Sequence, residues 1–321
     1  MENDIMTYLE NSFKKFGFPL ISRGLVLCVL GSGGLVLAQE KSNLGTRKNP
    51  IKLAMVPSSE SSKILSNMAP VAQCLEAETK LSFEVSVPNS YIVVVESFGS
   101  KKVDVAFLNT FGYIVARDKY GVEAILKTSR HGETTYKGAF FVKKDSKVAS
   151  LNDIAGKKMA YVDPASTSGH ILPKKMLMDA KVKVSEEVFA GKHDVALTML
   201  YQNQVDVAAA YYNAPLADQK IRDARERLLK QFPDVGEKLK VLTFTEEVPN
   251  DPIAIRAQIP AEMKESIKKA FSTCVQKHTE SFKGINNADG LVAVSDSDYD
   301  GLRKTIQALG INAAAELEKK K

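Results

Sequence analysis

Ser166, Thr167, Ser168 and Gly169 stand where an apolar, strand-like run (158–162) gives way to a helical run (171–180). A helix N-terminus leaves up to four backbone N–H groups without intrahelical partners and carries a partial positive charge. Three consecutive hydroxyls there, followed by a glycine that lets the backbone come close, make a socket for a tetrahedral oxyanion. The plainer reading is a helix cap, which needs only one hydroxyl. On these residues alone both readings stand.

The elements that must position this turn alternate along the chain. Residues 51–56, 81–87, 103–108, 122–127, 136–142, 158–162, 205–210, 241–244 and 253–256 read as strands. Residues 61–78, 91–98, 111–120, 171–180, 193–201, 222–230, 261–279 and 298–308 read as helices, with a loop around Gly284 and Asp289-Gly290 and a polar tail over 313–321. Such alternation predicts parallel-rich α/β sheets, in which ligands sit beyond the carboxyl ends of the strands. Val103-Asp104-Val105-Ala106 and Val205-Asp206-Val207-Ala208 each follow a short helix and a polar turn, and read as matching pieces of two similar lobes. The hydroxyl turn, Asn109-Thr110 and the loop after Ala210 all fall at strand carboxyl ends. They converge only if the lobes face each other across a cleft.

Composition narrows the function. The 321 residues carry 44 Lys and Arg against 38 Asp and Glu, a net charge of +6 spread along the chain, with no Trp. This mild excess favours small anions and lacks the clustered basic face of a nucleic-acid binder. Cys28, Cys74 and Cys274 show no CxxC spacing, and His131, His170, His193 and His278 form no HExxH pattern, so no metal or other cofactor is expected. Arg23 precedes an apolar run over 25–38 that ends Val36-Leu37-Ala38. A basic flank, a short apolar core and a small-residue end predict a secretory signal over 1–38, then a polar linker over 39–49. An uncleaved anchor is the alternative. Cys74 and Cys274 then remain in an exported protein, where pairing is allowed but undecided.

Asp163-Pro164-Ala165-Ser166-Thr167-Ser168-Gly169, Gly191-Lys192-His193-Asp194, Val205-Asp206-Val207-Ala208 and Pro249-Asn250-Asp251-Pro252-Ile253 together resemble, in order and spacing, the phosphate, phosphite and phosphonate-binding proteins of ABC importers. Ser90-Tyr91 and the segment 103–113 match as well, although Asn109-Thr110 stands where the family more often has Gly-Pro. The resemblance spans roughly residues 50 to 290. It implies a two-lobed, type II periplasmic binding protein that closes around its ligand like a hinge. Lobe 1 would comprise 50–140 and 248–321, and lobe 2 141–247, with crossovers near Phe140-Phe141 and Glu247–Pro249. It further implies a monomer in the periplasm that hands a phosphorus oxyanion to a permease in the inner membrane.

The resemblance also implies roles. Ser166, Thr167 and Ser168 would donate hydrogen bonds to the anion, and His193, at the start of its own helix, would donate to an anion oxygen. Asp251 would repel a dianion unless a proton lies between them, so it would accept from P–OH or pair with a ligand ammonium. Tyr91 and Tyr113 would supply a phenol or a ring wall, with Asn109 and Thr110 beside them. Asn213, in Tyr211-Tyr212-Asn213-Ala214, offers no carboxylate where relatives that bind aminoalkyl phosphonates carry one. Two rival readings are a hydrolase built on Ser168, His193 and Asp251, which lacks a G-x-S-x-G elbow, and a soluble accessory protein that reports ligand to a receptor.

Overall fold

Two strand–helix–strand units, each closing a mixed sheet, carry the chain. The computed structural model describes residues 43–218 and 220–308; the expected secretory signal and the tail over 313–321 lie outside the described residues. In the first half β1 (Ile51–Met55), α1 (Ser61–Thr79), β2 (Phe83–Ser86), α2 (Tyr91–Gly99), β3 (Val105–Phe107), α3 (Thr110–Tyr120) and β4 (Glu123–Ser129) follow one another. The chain then crosses to β5 (Thr135–Lys143), β6 (Lys158–Tyr161), α4 (Leu172–Asp179), β7 (Glu186–Phe189), α5 (His193–Tyr201), β8 (Val207–Tyr212) and β9 (Leu239–Pro249). It returns through β10 (Pro252–Ile255), α6 (Ala261–Lys277), α7 (Thr279–Asn286), β11 (Gly290–Val292) and α8 (Asp300–Ala308). The sheet orders are β11-β4-β10-β3-β1-β2 and β7-β6-β8-β5-β9.

The short Val-Asp-Val-Ala repeat marks a true structural correspondence. Strand β1 pairs in parallel with β3, and β6 with β8. In the first sheet Asp104 Oδ2 accepts from the Lys52 N–H at 3.0 Å while its own N–H donates to the Lys52 carbonyl. In the second, Asp206 Oδ2 accepts from the Lys158 N–H at 2.9 Å and its N–H donates to the Lys158 carbonyl. The same aspartate ties off the same edge in both lobes, so the loops after β1 and β6 are equivalent by construction.

The crossings differ from those expected. Phe140 and Phe141 lie inside β5, fully buried and paired on one side with β8 and on the other with β9. A strand flanked on both edges belongs wholly to one sheet, so the first crossing is the turn 130–134, before β5. The second is Asn250-Asp251, just past the expected 247–249. Of the expected linker, residues 43–49 form a turn in which Thr46 bridges Asn49, Gly45 bonds Asn49 and Ser82, and Leu44 packs on the core. The expected loop around Gly284 is helical as far as Asn286. Gly284 permits this because Asn67 sits where a Cβ would lie and donates to its carbonyl. Only Ala224–Leu228 of the expected helix over 222–230 winds, as a single 3₁₀ turn.

Cys74 on α1 and Cys274 on α6 form a disulfide that closes a loop with a sequence separation of 200. The bond joins two helices that pack on the same face of the first sheet, in the cluster around Phe107 and Phe271. A closed loop stabilises chiefly by restricting the unfolded chain. Urea unfolding of a Cys74→Ser, Cys274→Ser double variant is expected to lose about 2–5 kcal/mol, matching wild-type protein under reductant. Equal stability of oxidised and reduced protein would contradict the pairing.

Candidate functional site

The turn after β6 is built by two residues that forbid an ordinary α-helical start. Pro173 has no N–H to give the Gly169 carbonyl four residues earlier. That carbonyl accepts instead from the Val162 N–H at 3.1 Å, which folds the turn back onto its own strand. Gly169 makes this possible, because a Cβ there would lie 2.4 Å from the Val162 side chain. Thr167–Ile171 therefore winds as a π-helical turn before α4, and the Ser166 carbonyl accepts from both His170 and Ile171. The helix expected from 171 thus begins four residues earlier, in a geometry often found at functional sites.

The three hydroxyls of this turn are buried and differ in what they do. Ser166 is the cap: its Oγ accepts from the Gly169 N–H at 3.1 Å. Thr167 Oγ1 accepts across the cleft from the Asn109 side-chain amide and from the Phe111 N–H, each at 2.9 Å. Both lone pairs of that hydroxyl are then occupied, so any further hydrogen bond it makes is as a donor. Ser168 and Thr110 act on the Tyr136 hydroxyl in favour of its ionised form, as lesser influences. Burial, reinforced by the Asp251 charge, holds the Tyr136 phenol protonated, against the opposing pull of Arg130.

A cavity of about 50 Å³ opens against this turn, with Tyr91, Asn109, Arg130 and Asp251 on the first-lobe and hinge side and His193, Tyr211 and Arg227 on the second-lobe side. His193 Nδ1 accepts from the Tyr211 N–H at 3.4 Å. The neutral ring then carries its proton on Nε2 as a donor. Burial, then the charges of Arg227 and Arg130, push its pKa well below the usual histidine value. The Asp251 carboxyl is shifted upward by burial, opposed by Arg130, which donates to its Oδ2 at 3.0 Å. Asp251 Oδ1 and the Tyr91 hydroxyl are buried without a hydrogen-bond partner among the described residues.

The hinge is wired to the same carboxylate. Arg130 Nη1 donates to Asn250 Oδ1 at 2.7 Å, and Asn250 Nδ2 donates to the carbonyls of Thr128 and Glu133. The Asn250 N–H donates to Thr134, and its carbonyl accepts from Tyr299. Fully buried, Asn250 thus holds both crossings together.

Of the residues singled out by sequence, Ser166, Thr167, Ser168, His193, Asp251, Tyr91 and Asn109 line the cavity. Three do not. Tyr113 turns away: its hydroxyl donates to Asp296 at 2.6 Å and its ring packs on Tyr299, so it joins α3 to the C-terminal segment. Thr110 lies behind the wall, donating to the Pro249 carbonyl at 2.8 Å beside the hinge. Asn213 follows the end of β8, where the chain leaves strand alternation, and its amide donates to the Arg222 carbonyl. Sequence reading missed Arg130, Tyr136, Tyr211 and Arg227. Neither arginine falls in a recognisable motif, and Arg130 meets Asp251 only because the two crossings lie side by side. A Ser168–His193–Asp251 triad is excluded by hydrogen bonding. Such a histidine must donate from Nδ1 to the carboxylate, whereas His193 Nδ1 is an acceptor and Asp251 pairs with Arg130.

Two substitutions separate cap from donor. Ser166→Ala is expected to lower unfolding stability by about 1 kcal/mol, the usual cost of losing a cap. Thr167→Val, nearly equal in volume, removes that donor and is expected to weaken anion binding by about tenfold to a hundredfold. Calorimetry beside urea unfolding checks both. Unchanged affinity in Thr167→Val would show that its hydroxyl serves lobe contact alone.

The geometry agrees with what the chain is similar to. Residues 53–299 match the family model described as "ABC transporter, phosphonate, periplasmic substrate-binding protein". The chain is 26% identical to the phosphate-import protein PhnD of Mycolicibacterium smegmatis over 285 residues, covering 81% of this chain and 86% of that protein. Its fold resembles a binding-protein component of an ABC phosphonate transporter from Pseudomonas aeruginosa, with a TM-score of 0.70 and 20% identity, covering 84% of this chain and 94% of the other. It also resembles PhnD1 of Prochlorococcus marinus, solved with methylphosphonate, with a TM-score of 0.68 and 18% identity, covering 81% and 98%. The architecture is the two-lobed α/β fold of type II binding proteins, and the family works outside the cytoplasm as a transport component, not an enzyme. The chain belongs to the family of periplasmic substrate-binding proteins of phosphonate ABC transporters.

Proposed function

We propose that this protein captures a small phosphorus oxyanion, namely phosphate, phosphite or methylphosphonate, between its lobes and delivers it as a monomer to an inner-membrane permease. On this reading the signal over residues 1–38 directs it to the periplasm. The observation that carries the proposal is the cavity: about 50 Å³, walled by the buried hydroxyl turn, the His193 donor and two arginines. A water-sized group needs about 10–15 Å³ of such space, so the cavity has room for about three to five of them. That suits a phosphorus atom with its four substituents and little more. The disulfide between Cys74 and Cys274 supports an oxidising compartment. The rival hydrolase reading has no catalytic hydrogen-bond chain to stand on, and the accessory-sensor reading gains no support from the relatives.

Each group has a part in the proposal. The Ser166–Ser168 turn presents amides and hydroxyls to the oxyanion, and Thr167, whose oxygen already accepts two hydrogen bonds, contributes a donor. His193 donates from Nε2 without carrying charge in advance. Asp251 Oδ1, buried and unpartnered among the described residues, accepts the proton of a P–OH group. A carboxylate in this position reads the protonation state of the ligand, since a fully ionised ligand brings repulsion in place of a hydrogen bond.

Titration calorimetry of ligand-stripped protein with phosphate, phosphite, methylphosphonate and 2-aminoethylphosphonate tests the proposal. Binding of at least one of the first three is expected; binding of none sinks it. For ligands that lose a second proton near neutral pH, affinity should fall as pH rises through that ionisation, because the hydrogen bond to Asp251 is lost. Asp251→Asn, whose amide can donate instead, should flatten that fall. An identical pH profile in the variant would show that Asp251 does not accept the ligand proton.

A further inference from the structure

Arg227 has no counterpart in the sequence motifs, yet it occupies a decisive place. It sits on the 3₁₀ turn Ala224–Leu228 of the second lobe and reaches over the cleft, where Nη1 donates to the Ser58 carbonyl of the first lobe at 2.7 Å. Its guanidinium lies over the Tyr211 ring, 5.2 Å from the centroid, within cation–π range. The charged side chains that line the cavity are Arg130, Asp251 and Arg227. The first two pair with each other. Arg227 instead spends its bond on a neutral carbonyl, and its sequence neighbour Glu226 accepts from Asn287. The positive charge of the cavity is therefore that of Arg227. It is felt at the facing groups too: after burial, Arg227 is the largest cause of the lowered His193 pKa.

We propose that Arg227 is the specificity-determining residue of this site: it admits small, wholly anionic phosphorus compounds and rejects phosphonates that carry an ammonium. The inference rests on the function proposed above and deepens it. Two physical effects act together. Any organic tail on phosphorus must fit into a cavity of about 50 Å³ that the guanidinium helps to wall. An ammonium on that tail also meets the like charge of Arg227, while the Asp251 carboxylate is already held by Arg130, in a cavity where water screens poorly. The absence of a carboxylate at Asn213 does not account for such rejection, because Asn213 does not line the cavity. Closing on Ser58 couples the same residue to lobe contact, so a tail that displaces Arg227 also breaks a bond between the lobes.

Calorimetry on ligand-stripped wild type, Arg227→Ala, Arg227→Gln and Arg227→Lys, with methylphosphonate and 2-aminoethylphosphonate, tests this. In wild type, methylphosphonate is expected to bind at least a hundredfold more tightly. In Arg227→Ala and Arg227→Gln, methylphosphonate should weaken tenfold or more while the ratio between the two ligands falls below tenfold. Arg227→Lys, which keeps the charge, should retain most of the ratio. Arg227→Gln serves as the near-isosteric variant should the alanine variant fail to fold. A ratio unchanged in both neutral variants, or a wild type that binds 2-aminoethylphosphonate as well as methylphosphonate, overturns the inference alone. No binding of either ligand, or of phosphate or phosphite, by wild type overturns the proposed function and the inference with it.

Discussion

The hydrogen bonds that Thr167 Oγ1 accepts from the Asn109 amide and the Phe111 N–H set the terms for the rest of the molecule. They join the N-terminal turn of one lobe to that of the other through a single oxygen. A hydroxyl with both lone pairs engaged can make any further bond only as a donor, so lobe contact and its role as a donor are one event. Asn109 completes the link by donating also to the Ala165 carbonyl. A flexible hydroxyl would have to be ordered by the ligand itself. In this protein the facing lobe orders it, which removes part of the entropic cost of binding.

The second constraint is that the groups expected to meet ligand are fastened to the hinge. Arg130 holds Asp251 with one nitrogen and Asn250 with another, and Asn250 bonds both crossings. A change of charge at Asp251 is therefore felt by the residue that sets the geometry of the crossings. Buried, hydrogen-bonded ion pairs contribute little net stability but are costly to break. Placed at a hinge, such a pair favours one relation between the lobes. Thr110, bonded to Pro249, and Tyr299, bonded to Asn250, brace the same point from α3 and from the C-terminal segment. Tyr113 contributes at one remove, through Asp296 and Tyr299, which is why an aromatic residue there is buried yet absent from the cavity wall.

Much of this was legible in the sequence, and for identifiable reasons. Strands and helices were set by hydrophobic period, and the two Val-Asp-Val-Ala segments announced a repeat that the Asp104 and Asp206 bonds make explicit. The hydroxyl turn was readable because its residues are adjacent. Its π geometry was encoded as well, in Pro173 and Gly169, but only as a missing N–H and a missing Cβ whose effect depends on Val162. Arg130 and Arg227 were not readable, since a surface arginine and a buried one look alike until the fold brings Asp251 or Ser58 alongside. Asn213 was singled out by resemblance to relatives and not by its own surroundings, and it lies past the end of β8 at Tyr212, outside the cavity wall. The crossings were misplaced because the apolar run 138–142 lies in the middle of the long β5, and no local feature there marks where one sheet ends.

The central claim is that a phosphorus oxyanion is held by the Ser166–Ser168 turn with His193 and Asp251 on either side. A crystal structure of the ligand-stripped protein grown with methylphosphonate or phosphate tests it most directly. Phosphoryl oxygens are expected within hydrogen-bonding distance of the Thr167 and Ser168 hydroxyls and of His193 Nε2, with one oxygen facing Asp251 Oδ1. An anion bound elsewhere, or bound in the cleft without contact to the hydroxyl turn, would contradict it.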